Sequence, residues 1–226
     1  MEWQRFFHSN NSFVSRNFRT LTVNTYTCRN CGYVMKSWDN ALQIDLAIPE
    51  EGRSSLEESL NKRFLKTEAL GDYRCDDCKH LAADKHERFA RCPEILIFML
   101  RRHGWDNVKN IPKKNHSIVT FPLNNLSLDP YCISLDGRGS EELDKSFLKP
   151  FIYDCYAVIQ HLGDDIKSGH YWTLVKERDA GTGGKEMWFK YNDHILEKVG
   201  DIKKETMTNS ESYLLFYERR RVLGKQ

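Results

Sequence analysis

Two Cys-x-x-Cys pairs, Cys28 and Cys31 in "CRNC" and Cys75 and Cys78 in "CDDC", constrain this chain more than any other feature. Each presents two thiols across a tight turn, the bite that tetrahedral zinc takes from knuckle loops. The stretch between the pairs is longer than in a compact zinc finger. It must hold a strand out, a helix and a strand back, so the spacing predicts two knuckles meeting at the tip of a β extension, as in a zinc ribbon. The competing reading is ordinary buried thiols or a redox pair. A glycine follows the first knuckle and a Lys-His turn the second, which favours metal. His80 and His86 read as solvent-facing, with His80 as an alternative ligand. Cys92, Cys132 and Cys155 have no such partner in the sequence and read as small core hydrophobes.

Seven cysteines are an odd number, and "MEWQRFFHSNNSF" carries no basic region followed by an apolar stretch. Metal binding in a reducing compartment, cytoplasm or nucleus, is therefore expected rather than a disulfide framework. Hydrophobic residues make up 40% of the chain and aromatic ones 12%, enough for a folded core. The longest apolar run, "ILIFML" (95–100), is far too short to span a bilayer but suits a buried strand. With 34 basic and 32 acidic residues interspersed, charge gives no reason to expect nucleic acid or a membrane as partner. The basic end, "YERRRVLGKQ", reads as a solvated tail.

Strand composition dominates the rest. Strands are expected over 17–28, 36–49, after Pro93 within 87–103, over 115–128, and at 151–162, 169–177, 186–193 and 212–220. The clearest helix is 54–65, where Ser55 caps, Glu58 sits at the capping-box position, and Leu56, Leu60 and Phe64 share a face. The segment 135–146 is polar and reads as a surface loop. The fold class is therefore α+β, mostly antiparallel β.

Segments 169–177 and 186–193 flank a glycine-rich turn and should form an antiparallel hairpin. A turn centred near Gly181 sets His170 opposite Asn192. A centre one residue later shifts the pairing but keeps both on one face. Neighbours on one face lie about 5 Å apart directly and about 7–8 Å diagonally. An asparagine there can hold the imidazole by one nitrogen and leave the other open, the base-plus-orienter half of a Cys-His-Asn arrangement. A strand-end histidine bonded to its neighbour for structural reasons is the alternative.

"YDCYAVIQHLGDDIKSGHYWTLVK", followed by "WFKYND" and "SYLLFYER", resembles the carboxy-terminal half of the ubiquitin-specific protease catalytic domain. "YTCRNCGY", "LQIDLAIP", "SLEESLNKRF", "YRCDDC", "CPEILIFMLRRH" and "IVTFPL" precede it in that family's order, so the resemblance covers roughly residues 13 to 220. It implies a papain-like cysteine protease of fingers, palm and thumb. Residues 13–90 would be zinc-ribbon-like fingers and 91–222 the β-rich palm, with a lead-in at 1–12 and a tail at 223–226. It implies structural zinc on Cys28, Cys31, Cys75 and Cys78, a general base at His170, an orienter at Asn192 and an assisting acid at Asp193. Gly169 and Tyr171 would line the groove for ubiquitin's Gly-Gly tail, and 161–169 would be a loop over it. The family's amino-terminal cysteine box and helical thumb have no counterpart here, so the fold is expected to be partial, fingers plus palm. His103 also stands where the family usually has phenylalanine. The expectation is part of a cysteine-type deubiquitinase acting on ubiquitin and ubiquitinated proteins, its nucleophile supplied from outside this chain, the chain alone being inactive. A catalytically dead ubiquitin-binding pseudoenzyme or scaffold is the alternative.

Overall fold

The structure, a computed structural model, describes residues 11–106, 110–133, 150–163, 168–178 and 186–220. The expected loop at 135–146, the tail at 223–226, most of the lead-in and the middle of the 161–169 loop lie outside these residues. The strands, in chain order, begin with β1 (Thr20–Cys28), β2 (Val34–Ala41), β3 (Ile44–Leu46), β4 (Arg53–Ser55), β5 (Glu68–Arg74) and β6 (Leu81–Arg91). Next come β7 (Ile95–Leu100), β8 (His103–Asp106), β9 (Ile111–Lys114), β10 (Ile118–Thr120) and β11 (Leu126–Ser127). The last are β12 (Ile152–Leu162), β13 (His170–Arg178), β14 (Glu186–Asn192), β15 (Ile195–Val199) and β16 (Ser212–Arg219). Short helices are α1 (Phe13–Phe18), α2 (Leu56–Leu60) and α3 (Ile202–Met207). No helix among the described residues is long and apolar enough to cross a membrane.

The chain folds as two compact units that interleave along the sequence. One comprises Met1–Gln43, Leu60–Leu96 and Ser127–Ile152, the other Ile44–Ser59, Ile97–Leu126 and Tyr153–Gln226. The first is built on a four-stranded antiparallel sheet in the order β2-β1-β6-β5. Strand β6 is held by charge as much as by apolar burial. Lys85 pairs with Glu68 at 3.1 Å, Arg63 with Glu87 at 2.7 Å, and Asp84 with Arg29 at 2.6 Å. Beneath it Phe64 stacks on Phe89, ring centres 4.3 Å apart, and meets Tyr131 at 6.2 Å. Helix α1 is capped by a reciprocal Ser12/Ser15 box. The Arg91 guanidinium donates to the Arg16 and Arg19 carbonyls at its far end, at 2.8 and 2.5 Å.

The second unit is dominated by a sheet in the order β15-β14-β13-β12-β16-β7-β3, in which β3 runs parallel to β7. Its core is apolar, with Phe98, Tyr153, Cys155, Val158, Leu174, Leu215 and Tyr217 buried. Arg102 is just as buried, and its guanidinium donates to the backbone carbonyls of Ser212, Ser117 and Asn115 at 2.6, 2.7 and 3.2 Å. Without a carboxylate partner among the described residues, burial pulls its pKa down to about 10.

Several expectations are corrected by this architecture. The strand expected over 17–28 starts only at Thr20, because α1 occupies Phe13–Phe18. The strand over 36–49 is two: β2 pairs with β1, while β3 joins the other unit's sheet. The helix expected over 54–65 is α2, extended by a π-helical turn at Asn61–Leu65. Its capping box is present: the Glu58 amide donates to Ser55 Oγ, and the Ser55 amide to the Glu58 carboxylate, both at 3.1 Å. Strand β5 is the expected strand back to Cys75, whereas strands β4, β6, β8, β9 and β15 and helices α1 and α3 had not been anticipated.

Candidate functional site

The His170 hairpin forms as β13 and β14. Thr173 stands opposite Tyr191 and Val175 opposite Phe189, the later of the two pairings that the turn allows. His170 and Asn192 are therefore diagonal neighbours on one face. The gap is closed by a hydrogen bond from His170 Nε2 to Asn192 Oδ1 at 2.5 Å. An amide oxygen only accepts, so Nε2 carries the hydrogen and Nδ1 is left with its lone pair. Asp193 Oδ2 lies 3.8 Å from Nε2. Asp193 takes a left-handed φ of 52° in the two-residue turn that joins β14 to β15. Aspartate tolerates that region, which leaves its carboxylate beside the orienting amide.

The floor under the hairpin is rigid. Trp172 is buried; its indole N–H donates to Gln160 Oε1 at 2.8 Å, and Lys190 Nζ lies 4.6 Å from the ring centre. Gln160, fully buried, spends its amide N–H on the Glu205 carbonyl of α3 at 3.0 Å. A chain of satisfied buried polar groups thus fixes the strand that carries His170.

Strand β12 sets Leu162 opposite His170 and His161 opposite Tyr171. The His161 ring lies 4.4 Å from that of Tyr171, and its Nε2 sits where a side chain on Gly169 would be. His103 meets His161 edge-on at 5.7 Å and tilts against Tyr213 at 5.3 Å. The Lys114 ammonium donates to the His161 and Gly163 carbonyls at 2.9 and 2.6 Å. Burial first, and this charge second, hold both imidazoles below the ordinary histidine range. The sequence had not singled out His161; the β12–β13 register reveals it.

In the other unit, the sulfurs of Cys28, Cys31, Cys75 and Cys78 all lie within 4.8 Å of one another. Cys28 and Cys78 are 3.6 Å apart and Cys31 and Cys75 3.7 Å. A tetrahedron of thiolates about an ion at ~2.3 Å has edges of ~3.8 Å, so the four fit a single metal. The two knuckles are built alike. Gly32 N–H donates to the Cys28 carbonyl and Lys79 N–H to that of Cys75, and both Gly32 and Lys79 take a left-handed φ, 72° and 63°. The His80 backbone amide, with the Asn30 side-chain amide, brings the Cys78 thiol down to about 6. The Tyr33 amide pulls Cys31 the same way, but desolvation and the neighbouring thiols outweigh it and push Cys31 up to about 12. His80 serves the site through its backbone: besides that amide, its carbonyl accepts from Cys75 N–H.

The remaining cysteines differ from one another. Cys155 is the core residue expected, fully buried, with its thiol pushed up to about 12 by burial. Seven residues along β12 from Leu162, it lies ~23 Å of strand away from the level of His170. Cys92 and Cys132, by contrast, are not isolated core thiols, because their sulfurs approach to 3.5 Å.

A family model for ubiquitin carboxyl-terminal hydrolases matches residues 2–217, and the chain belongs to that family. Ubiquitin carboxyl-terminal hydrolase 3 of Homo sapiens is 26% identical over 220 residues, covering 90% of this chain and 38% of its own length. Ubiquitin carboxyl-terminal hydrolase 21 of Rattus norvegicus is 28% identical over 223 residues, covering 96% of this chain and 35% of its own. The chain thus spans between a third and two fifths of these relatives. Among solved structures, the SAGA Ubp8/Sgf11/Sus1/Sgf73 DUB module bound to ubiquitin aldehyde superposes with a TM-score of 0.73 at 26% identity, over 94% of this chain and 44% of that one. The same module bound to monoubiquitin gives 0.75 at 24% identity, over 95% and 43%. The fold is accordingly α+β, mostly antiparallel β, of the papain-like cysteine-protease kind.

Proposed function

We propose that this chain carries the base-and-orienter half of a cysteine-type deubiquitinase. The observation that carries the reading is the His170 Nε2–Asn192 Oδ1 bond, with Asp193 alongside and Nδ1 open. His170 takes the proton from a thiol through Nδ1, and Asn192 holds the ring in that tautomer while it becomes an imidazolium. The thiolate attacks the carbonyl of ubiquitin's last glycine. His170 then returns the proton to the departing lysine amine, and water releases ubiquitin from the thioester. Asp193, its carboxylate 3.8 Å from Nε2, is the assisting acid beside this pair. The nucleophile comes from outside this chain. Gly169 and Tyr171 line the path of ubiquitin's Gly-Gly tail, where a bare glycine backbone lets an extended peptide pass close to the base.

Cys28, Cys31, Cys75 and Cys78 hold zinc, which supplies a structural cross-link and, with four thiolates, leaves no position open for chemistry. The unit around them takes ubiquitin's globular body, so that binding energy aligns one peptide-like bond. A reduced intracellular setting, cytoplasm or nucleus, keeps these thiols available.

A second reading, a ubiquitin-binding scaffold without catalysis, is favoured by Cys155: the one cysteine of the unit that holds His170 is inert. The natural full-length protein separates the two when challenged with ubiquitin carrying an electrophilic tail and with a fluorogenic ubiquitin substrate. The enzyme reading expects covalent labelling, and turnover that His170→Ala abolishes. Binding of ubiquitin with neither label nor turnover establishes the scaffold.

A further inference from the structure

We infer that Cys92 and Cys132 form an oxidisable dithiol, a modification site that a hydroperoxide closes into an intramolecular disulfide. The two sulfurs are 3.5 Å apart although 40 residues separate them in the chain. Both belong to the unit that also carries the four-cysteine cluster, yet they are no part of that cluster.

Each cysteine is held where an element ends, so the pair cannot drift apart. Cys92 follows the last residue of β6 and precedes Pro93, whose ring fixes φ. Cys132 follows a single 3-10 turn at Asp129–Tyr131 that is pinned on both sides. Tyr131 donates its hydroxyl to Asn61 at 3.0 Å, and the Phe151 amide donates to the Asp129 carboxylate at 2.9 Å. Beyond the turn, Cys132 bridges Phe89 in parallel, and the Ile133 amide donates to the Phe89 carbonyl at 2.9 Å. The backbones carrying the thiols are therefore already docked, with the two sulfurs 3.5 Å apart.

The thiols also differ in access, as a two-step oxidation requires. Cys132 is half-buried and meets solvent-borne oxidant first, whereas Cys92 is 2% exposed and acts as resolving partner. The Cys132 sulfur attacks one peroxide oxygen; the O–O bond breaks, and one water (or alcohol) leaves with a thiol proton, giving a sulfenic acid. The Cys92 sulfur attacks that sulfur; the S–O bond breaks, and the oxygen leaves as water with the second thiol proton. Two thiols are oxidised by two electrons and one peroxide is reduced. Loss of the Cys132 S–H, which donates to the Leu128 carbonyl at 3.2 Å, orphans nothing, because the Tyr131 amide donates to the same oxygen at 2.9 Å.

The test uses the whole zinc-loaded chain exposed to hydrogen peroxide, then alkylated and digested with trypsin. The expected product is a disulfide between peptides 92–101 and 115–138, reversed by dithiothreitol, formed before any zinc is released. The oxidised chain should melt roughly 5 °C or more higher, because the bond closes a long loop. Cys132→Ser abolishes both the linked peptide and the melting shift while zinc content stays at one per chain. Cys92→Ala does the same and leaves Cys132 as a sulfenic acid trapped by dimedone. Recovery of both cysteines fully alkylated, zinc loss preceding the bond, or the same melting shift in Cys132→Ser would each overturn the assignment.

Discussion

Replacing Gly169 by alanine tests the junction between the buried His161 ring and the strand that carries His170. A Cβ on Gly169 would overlap the His161 imidazole and sit 2.5 Å from the Leu162 carbonyl. Neither neighbour can yield cheaply. The imidazole is 2% exposed and boxed in by Tyr171 at 4.4 Å and His103 at 5.7 Å. The carbonyl is backbone, at a residue paired with His170 itself. Overpacking of this kind costs about 1–3 kcal/mol. With a urea dependence of about 2 kcal/mol per molar, the unfolding midpoint should fall by roughly 0.5–1.5 M. The smallest relief is a shift of the first residues of β13, which moves His170; a displacement near 1 Å costs about 10²-fold in turnover of fluorogenic ubiquitin by the full-length protein. Adding His161→Ala removes the ring clash but leaves the carbonyl, so it should recover part of the loss, with a coupling of at least ~0.5 kcal/mol. A Gly169→Ala midpoint within ~0.2 M of the parent, with turnover intact, would refute the reasoning.

Asn192→Ala should leave urea stability nearly unchanged but lower kcat by roughly 10²-fold or more, because the ring loses the acceptor that fixes its tautomer; Asn192→Asp restores an acceptor and part of the rate. His103 and His161 are both held below the ordinary histidine value of about 6.5, so the unfolded chain takes up their protons first. Stability is therefore full above about pH 6.5 and declines as pH falls below it, which urea midpoints between pH 7.5 and 5.5 will show. His103→Phe should flatten that slope and stabilise the chain by about 1 kcal/mol, since it also removes a buried Nε2 with no partner among the described residues. Zinc binding at pH 7 should release fewer than four protons, measurable in weak buffer: Cys78, at about 6, is already ionised, whereas Cys31, at about 12, must give its proton up.

Legibility in the sequence followed the physics of each segment. Strands β7, β12, β13, β14 and β16 were readable because apolar or aromatic residues recur at strand period and pack into one core. Strand β6 was not legible, because its middle is held by Lys85, Glu87 and Asp84 through ion pairs that look like surface charge in one dimension. The apparent strand over 36–49 hid a change of sheet, since nothing local distinguishes a residue of β2 from one of β3. The facing of His170 and Asn192 could be counted along the hairpin, but which of two registers held could not. The four-cysteine cluster was legible as two identical turns. The Cys92–Cys132 approach was invisible because it arises from Tyr131, Asn61 and Phe89 docking over long separations.

The order of strands in the second unit's sheet has a consequence for how the chain is made. Strand β16, the last of the sheet to leave the ribosome, lies not at an edge but between β12 and β7. Until it arrives, β12 and β7 each expose a row of unpaired backbone groups on apolar strands, the kind of edge that recruits other chains. Closure is then a late, non-local step, and such steps are slow. Nascent or truncated chains ending before Ser212 should therefore require chaperone protection, whereas full release should let the sheet zip shut from both sides of β16.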